Sequence, residues 1–215
     1  MKKQYCIEKN YQASYFHKMQ IPIFPLNGAV LYPETNLPLN IFESRYIEMI
    51  DYALLNKRLV GMIQTDKDGN LFKVGCLGKI TSFSETRDRR YLINLQGTNL
   101  FIKKKEVQKD CKFRIIEASL IKYSSDKATV GSDIKKSLLV KYEKYIKDKK
   151  IDLSINELSK LNTKQLARLI AMVSPFDYID KQMLLEITAT NDFCKKLLSI
   201  LEIELVNHSG DKTIN

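Results

Sequence analysis

The sequence predicts an α+β protein in which a curved, barrel-like β unit comes first and an all-helical unit follows. Three observations carry that expectation. A proline-rich opening forbids helix, short strand-like runs fill Arg58 to Tyr123, and the apolar period becomes helical beyond Gly131.

The elements follow in order. Gln20 to Leu39 reads QIPIFPLNGAVLYPETNLPL and holds four of the five prolines, so it is expected as edge strand, turn and extended loop. Asn40 followed three residues later by Glu43 reads as an Asn variant of the capping box. Ile41, Phe42, Arg45, Tyr46, Met49, Ile50, Ala53 and Leu54 then recur at helical spacing, predicting a helix over 41–56. Next come the runs LVGMIQT, LFKVGCLGKITSFSET, RRYLINLQG, NLFIKKKEV and KFRIIEASLI, divided by turn signals such as Asp66-Lys67-Asp68-Gly69-Asn70. Five short strands joined by hairpins are expected. Tyr91, Ile93 and Leu95 alternate with Leu92, Asn94 and Gln96, and Gly75, Gly78 and Gly97 stand where a curved sheet needs bulges, which favours a barrel over a flat sheet.

Ser124-Ser125-Asp126-Lys127 breaks the pattern. Beyond it, Ser154 with Glu157 forms a capping box, Thr163 is expected to cap KQLARLIAMV, Ser174-Pro175 stops that helix, and Thr190 is expected to cap a last helix through Val206. Four or so helices result. The expected division is a β domain over 19–123, a helical subdomain over 133–207, and flexible termini at 1–18 and 208–215.

Composition narrows the function. The chain of 215 residues is 44% hydrophobic, enough for one core or a main core with a smaller partner. It has neither a signal-peptide core near its start nor a span of eighteen apolar residues, so a cytoplasmic protein without membrane contact is expected. Cys6, Cys76, Cys111 and Cys194 are scattered and read as buried, reduced thiols. The formal charge is +10. Basic residues outnumber acidic ones 19 to 12 up to Leu120 and 16 to 13 beyond it, so +7 of the excess lies in the front part. Only seven of the 35 basic residues are arginine, the side chain on which bidentate phosphate and base recognition leans.

Three blocks carry a family resemblance. They are Ile21-Pro22-Ile23-Phe24-Pro25-Leu26, Val30-Leu31-Tyr32-Pro33, and Leu37-Pro38-Leu39-Asn40-Ile41-Phe42-Glu43-Ser44-Arg45-Tyr46. In this order they resemble the opening of the Lon protease N-terminal, substrate-binding domain. Val74-Gly75-Cys76-Leu77-Gly78-Lys79-Ile80, Arg90 to Gly97 and Phe113-Arg114 fall where that family has its later strands. Ala171 to Phe176 and Lys181 to Glu186 are similar to the tail of short bacterial members that hold only this domain. The chain departs from the family at Asp88-Arg89-Arg90, where Asp-Gly-Arg is usual, and at Asn99-Leu100, where Cys-Arg is frequent. The resemblance implies a PUA-like β-barrel followed by a C-terminal helical bundle. It also implies the binding of unfolded or tagged protein substrates.

No catalytic residue is assigned. The resemblance places Lon's phosphate loop and serine–lysine dyad in later domains, and Gly75-Cys76-Leu77-Gly78-Lys79-Ile80 lacks the spacing and hydroxyl of a P-loop. His17 and His208 fall in the expected loose ends, where neither is held for proton transfer or as a metal ligand. Glu202 and Glu204 read as solvated helix surface. No cofactor and no metal are expected.

Binding remains. Tyr32 with Pro33, in the proline-bounded loop, is the candidate peptide anchor; the alternative is that Tyr32 packs on its own barrel. Arg87, Arg89 and Arg90 occupy a hairpin turn and, with Lys103, Lys104 and Lys105, form either a basic face for an acidic partner or a plain solvated turn. Glu43 and Arg45 are expected to brace the proline-rich loop. The favoured function is a non-catalytic, protein-binding module for unfolded or hydrophobic segments, as a proteolysis adaptor or weak holdase, working as a monomer or weak homodimer. The alternative is an RNA-binding PUA-like module using the basic face.

Overall fold

A computed structural model describes residues 16–121 and 132–211. Of the termini expected to be flexible, 1–18 and 208–215, residues 1–15 and 212–215 lie outside the described residues, as do Cys6 and the break at Ser124–Lys127. The chain divides into two compact units, 1–124 and 125–215.

The first unit contains β1 (Phe16–Pro25), β2 (Asn36–Ile41), α1 (Ser44–Leu55), β3 (Leu59–Thr65), β4 (Leu71–Glu85), β5 (Tyr91–Val107) and β6 (Arg114–Leu120). They form one mixed sheet in the order β2-β5-β4-β3-β1-β6, with a further β5–β6 pairing that brings the sheet round on itself. It is not a true barrel of equivalent strands. β2 pairs only with β5 and hangs outside the ring, and β1 runs parallel to β3 while every other pair is antiparallel.

Inward positions explain the curvature. Ile21, Ile23, Ile63, Leu77, Phe101, Ile116 and Ala118 form the core cluster. Burial of such side chains contributes about 1.5–3 kcal/mol each. The Phe101 ring fills space that two glycines vacate: a Cβ on Gly75 would lie 2.5 Å from its Cζ, and one on Gly61 3.1 Å away.

Several boundaries differ from the sequence expectation. β1 begins at Phe16, because Phe16 and Lys18 pair with Leu120 and Ser119; His17 thus lies in a strand. The third and fourth expected runs are one strand of 17 residues, since Gly97 and Thr98 make a bulge against Leu77 and Gly78 and the ladder then continues. The helix expected over 41–56 starts at Ser44. Ile41 still pairs with Tyr91, and Glu43 occupies the N-cap without a side-chain cap bond, so the Asn40–Glu43 box does not form. Tyr46, Met49, Ile50 and Ala53 make the buried stripe of α1.

The second unit contains α2 (Ser132–Lys149), α3 (Ile155–Ser159), α4 (Thr163–Val173), α5 (Tyr178–Glu186) and α6 (Thr190–Asp211). Ser154 caps α3 by accepting from the Glu157 N–H. Asn162, not Thr163, caps α4 through a reciprocal box with Gln165, and the helix ends at Val173 before Ser174 and Pro175. Helix α6 continues past the expected end at Val206 to Asp211, so His208 is helical. Glu202 and Glu204 are not merely solvated: they pair with Lys141 and Lys149 of α2 at 2.7 and 3.0 Å. No helix of the described residues is long and apolar enough to cross a membrane.

Candidate functional site

The proline-bounded loop between β1 and β2 is pinned from three sides. The Leu26 N–H donates to the Ile63 carbonyl at 3.0 Å, and the Gly28 N–H to Gln64 Oε1 at 3.1 Å. The Glu34 N–H donates to the Gly97 carbonyl at 2.8 Å, and the Gly97 N–H to the Thr35 carbonyl at 2.9 Å. Thr35 Oγ1 donates to the Tyr32 carbonyl at 2.7 Å and accepts from the Tyr32 N–H at 3.3 Å.

This geometry overturns the anchor reading of Tyr32 and Pro33. Tyr32 is 1% exposed and Pro33 is buried, and burial pushes the Tyr32 phenol well above the usual range. A side chain enclosed on all sides cannot seize a peptide from solvent. Tyr32 instead holds the loop on its own sheet. Glu43 and Arg45, the expected braces, are joined by a salt bridge at 2.8 Å, and Arg45 lies over the Tyr46 ring at 4.5 Å. They therefore close the start of α1. Gln64 and Thr35, which the sequence reading did not single out, brace the loop together with Gly97, which it read only as a bulge position.

Accessible apolar surface lies instead at the free end of the β4–β5 hairpin. Thr81 to Glu85 and Arg87 to Arg90 are all exposed, so the hairpin end stands clear of the core. Paired residues share a face of the sheet. Leu92, opposite both Asn40 and Ser84, therefore faces solvent, 46% exposed, while its neighbour Ile93 is buried. Phe42 follows β2 directly and is 62% exposed, with the Arg90 guanidinium 6.0 Å from its ring centre. On the other face Phe83, 49% exposed, meets the Tyr91 ring edge-on at 6.5 Å. Tyr91 donates to Asp51 of α1 at 2.7 Å, and that bond raises its phenol to about 12.

The turn itself is rigid. The Thr86 N–H donates to the Arg90 carbonyl and the Arg89 N–H to the Thr86 carbonyl, each at 2.9 Å. The Thr86 hydroxyl also contacts the Asp88 carboxylate, and that hydrogen bond, aided by Arg90 at 2.7 Å, holds Asp88 below the usual carboxylate range. Arg89 sits at φ +62°, a conformation in which glycine is cheaper. Arg87 and Arg89 have no ion-pair partner among the described residues. Lys103, Lys104 and Lys105 lie at the other end of the long β5. They do not share a face with the arginine turn, because each strand residue rises roughly 3.3 Å.

β2 completes the surface. It is an edge strand whose ladder runs only to β5, with Pro38, which has no N–H, opposite Asn94. The sequence carried a faint signal for this surface: Leu92 is the apolar member of an otherwise polar face with Asn94 and Gln96, and Phe83 stands among Thr81, Ser82, Ser84 and Glu85. Phe42 was hidden, because at helical spacing it reads as core.

Among the described residues, a recess in the helical unit lined by Lys164, Arg168, Thr190 and Phe193 among others has a cavity volume of about 10 Å³, far below the roughly 300–1,000 Å³ of ligand pockets. Among the described residues no group of three or more His, Cys, Asp or Glu could hold a metal ion. Cys76 and Cys194 are buried, whereas Cys111 is half-buried, and all three are thiols outside any disulfide.

A family model described as the ATP-dependent protease La (LON) substrate-binding domain matches residues 20–202. The Lon protease of Buchnera aphidicola subsp. Baizongia pistaciae is 28% identical over 198 residues, covering 87% of this chain and 25% of that protein. The Lon protease of Escherichia coli K12 is 24% identical over 204 residues, with coverage of 87% and 25%. The chain thus spans about a quarter of the length of the relatives it matches. Among solved structures, a Lon N-terminal domain protein from Xanthomonas campestris superposes with a TM-score of 0.64 at 19% identity, covering 84% of this chain and 98% of that one. The N-terminal domain of a Mycobacterium avium complex Lon protease gives 0.65 at 13% identity, with coverage of 86% and 98%. At these identities the likeness is one of fold.

Proposed function

The chain belongs to the family of ATP-dependent protease La (Lon) substrate-binding domains, and from that membership we propose that it is a cytoplasmic, non-catalytic module that captures extended segments of unfolded proteins at the hairpin end of its β unit. One observation carries the placement: Phe42, Leu92 and Phe83 are each about half exposed or more at one end of a sheet whose outer strand has a free edge. Exposed apolar clusters beside polar groups mark interaction surfaces, and a free edge offers main-chain hydrogen bonds to an extended chain. A folded partner has few extended, unpaired segments to offer. An unfolded one has many. Such a module serves either as an adaptor that presents chains for proteolysis or as a weak holdase.

The experiment compares binding to a reduced, unfolded protein with binding to its native form, using the full chain. Selective binding of the unfolded form supports the reading. Equal binding to both, or none, removes it. The RNA alternative has less support, since Arg45, Arg90 and Arg114 are occupied by Glu43, Asp88 and Glu106. Binding of structured RNA with a steep salt slope would favour it instead.

A further inference from the structure

Resting on that placement of the peptide surface, we propose that it is selective for apolar segments flanked by aspartate or glutamate, with the acidic residues lying toward the β4–β5 turn. The apolar part of the surface runs along the solvent face of β2 and β5 through Leu92 and Phe42 and ends at Arg90, which stands over Phe42. Beyond it comes the turn of residues 86–90, with three arginines and the single carboxylate of Asp88, which is already taken by Thr86 and Arg90. Arg87 and Arg89 are exposed and have no ion-pair partner among the described residues, so the hairpin end, with three arginines against Glu85 and Asp88, carries a net positive charge at one end of an apolar strip.

The backbone fixes where these charges sit. The turn is closed by the Thr86–Arg90 and Arg89–Thr86 main-chain bonds and by the Thr86 hydroxyl, which accepts from the Arg90 N–H at 3.1 Å. Arg89 holds φ +62°, a position that most side chains occupy only at a cost. A chain laid along β2 with carboxylates at its turn-proximal end would meet the two free guanidinium groups, whereas lysines there would meet like charge. Complementary charge of this kind sets specificity and approach rate more than total affinity. It also weakens with salt, because both arginines are in solvent.

The test uses one apolar, unstructured peptide carrying three acidic, three neutral or three basic flanking residues, titrated against the full chain at low and high salt. Alongside the native protein stands the double variant R87Q/R89G, in which glycine suits the φ of residue 89, with its thermal midpoint checked for an intact fold. The native protein is expected to bind the acidic-flanked peptide about tenfold more tightly than the basic-flanked one at low salt, with the gap closing at high salt. In the double variant the acidic-flanked affinity is expected to fall to that of the neutral peptide, whose own affinity does not change. Equal binding of the three peptides by the native protein overturns the selectivity and leaves the docking surface standing. A preference that survives in the double variant also overturns it. Failure of every peptide to bind removes the surface and the selectivity together.

Discussion

The Tyr32 carbonyl oxygen lies where Gly97 leaves room for it: a Cβ at position 97 would stand 2.1 Å from that oxygen. Both groups are backbone, held by the paired hydrogen bonds that join Glu34 and Thr35 to Gly97, so neither side can rotate away. Gly97→Ala is expected to cost about 2–3 kcal/mol, the upper part of the overpacking range. Denaturant unfolding reads the loss directly. A change below about 0.5 kcal/mol would mean that the loop shifts freely from β5.

Tyr32 should act on stability and not on capture. Tyr32→Ala removes a ring that is 1% exposed and is expected to cost about 3–5 kcal/mol. If the variant is measured where it remains folded, its affinity for an unfolded protein should equal that of the native chain.

The reverse holds for Phe42. As its ring is 62% exposed, Phe42→Ser should move stability by less than about 0.5 kcal/mol. Combined with Leu92→Thr, it is expected to weaken the binding of a reduced, unfolded protein about tenfold. Unchanged binding in the double variant would place the capture surface elsewhere.

Thiol chemistry separates the cysteines. Burial pushes the Cys194 thiol up to about 11, and Cys76 is likewise enclosed, while Cys111 is half-buried. Among the three cysteines of the described residues, a disulfide reagent at pH 8 should modify Cys111 before Cys76 and Cys194, which react only at the rate of unfolding. The linkage has a definite sign. Because the folded-state value lies above the unfolded one near 9, the Cys194 contribution to stability is intact below about pH 9 and is lost as pH rises through 11.

In the helical unit the reciprocal box between Asn162 and Gln165 starts α4, with Gln165 N–H to Asn162 Oδ1 at 2.9 Å. Asn162→Ala should cost about 1 kcal/mol. Thr163→Ala should cost far less, since Thr163 lies inside the helix and is not its cap. Parallel melts of the two variants decide between the two capping assignments.

Much of the fold could be read from local pattern, because period and turn chemistry are local properties. β3 coincides with the run LVGMIQT, and α4 ends where Ser174-Pro175 predicted. Errors arose where partners distant in sequence decide. Ile41 and Phe42 have helical spacing with Tyr46 and Met49, yet the ladder from Asn36 to Ile41 onto β5 keeps that stretch extended. The third and fourth runs were divided at Thr98, yet beyond the bulge that Gly97 makes opposite Gly78 the ladder onto β4 resumes and joins them. The place of Arg87, Arg89 and Arg90 in an exposed hairpin turn was legible because turn chemistry is local. Tyr32 was misplaced as the anchor because a proline-rich loop gives no sign of which face it lays on the sheet.

The pairing of β1 with β6 has a consequence for how the first unit comes into being. β1 begins at Phe16, and its antiparallel neighbour ends at Leu120, so the strand synthesised first waits for the one synthesised last. Closing so long a loop costs entropy before any contact repays it, and sheets of this kind fold slowly. Until β6 leaves the ribosome, one side of β1 has no hydrogen-bond partner and the Ile21 and Ile23 positions are uncovered. A protein proposed to capture unfolded segments thus exposes such segments of its own until β6 is made.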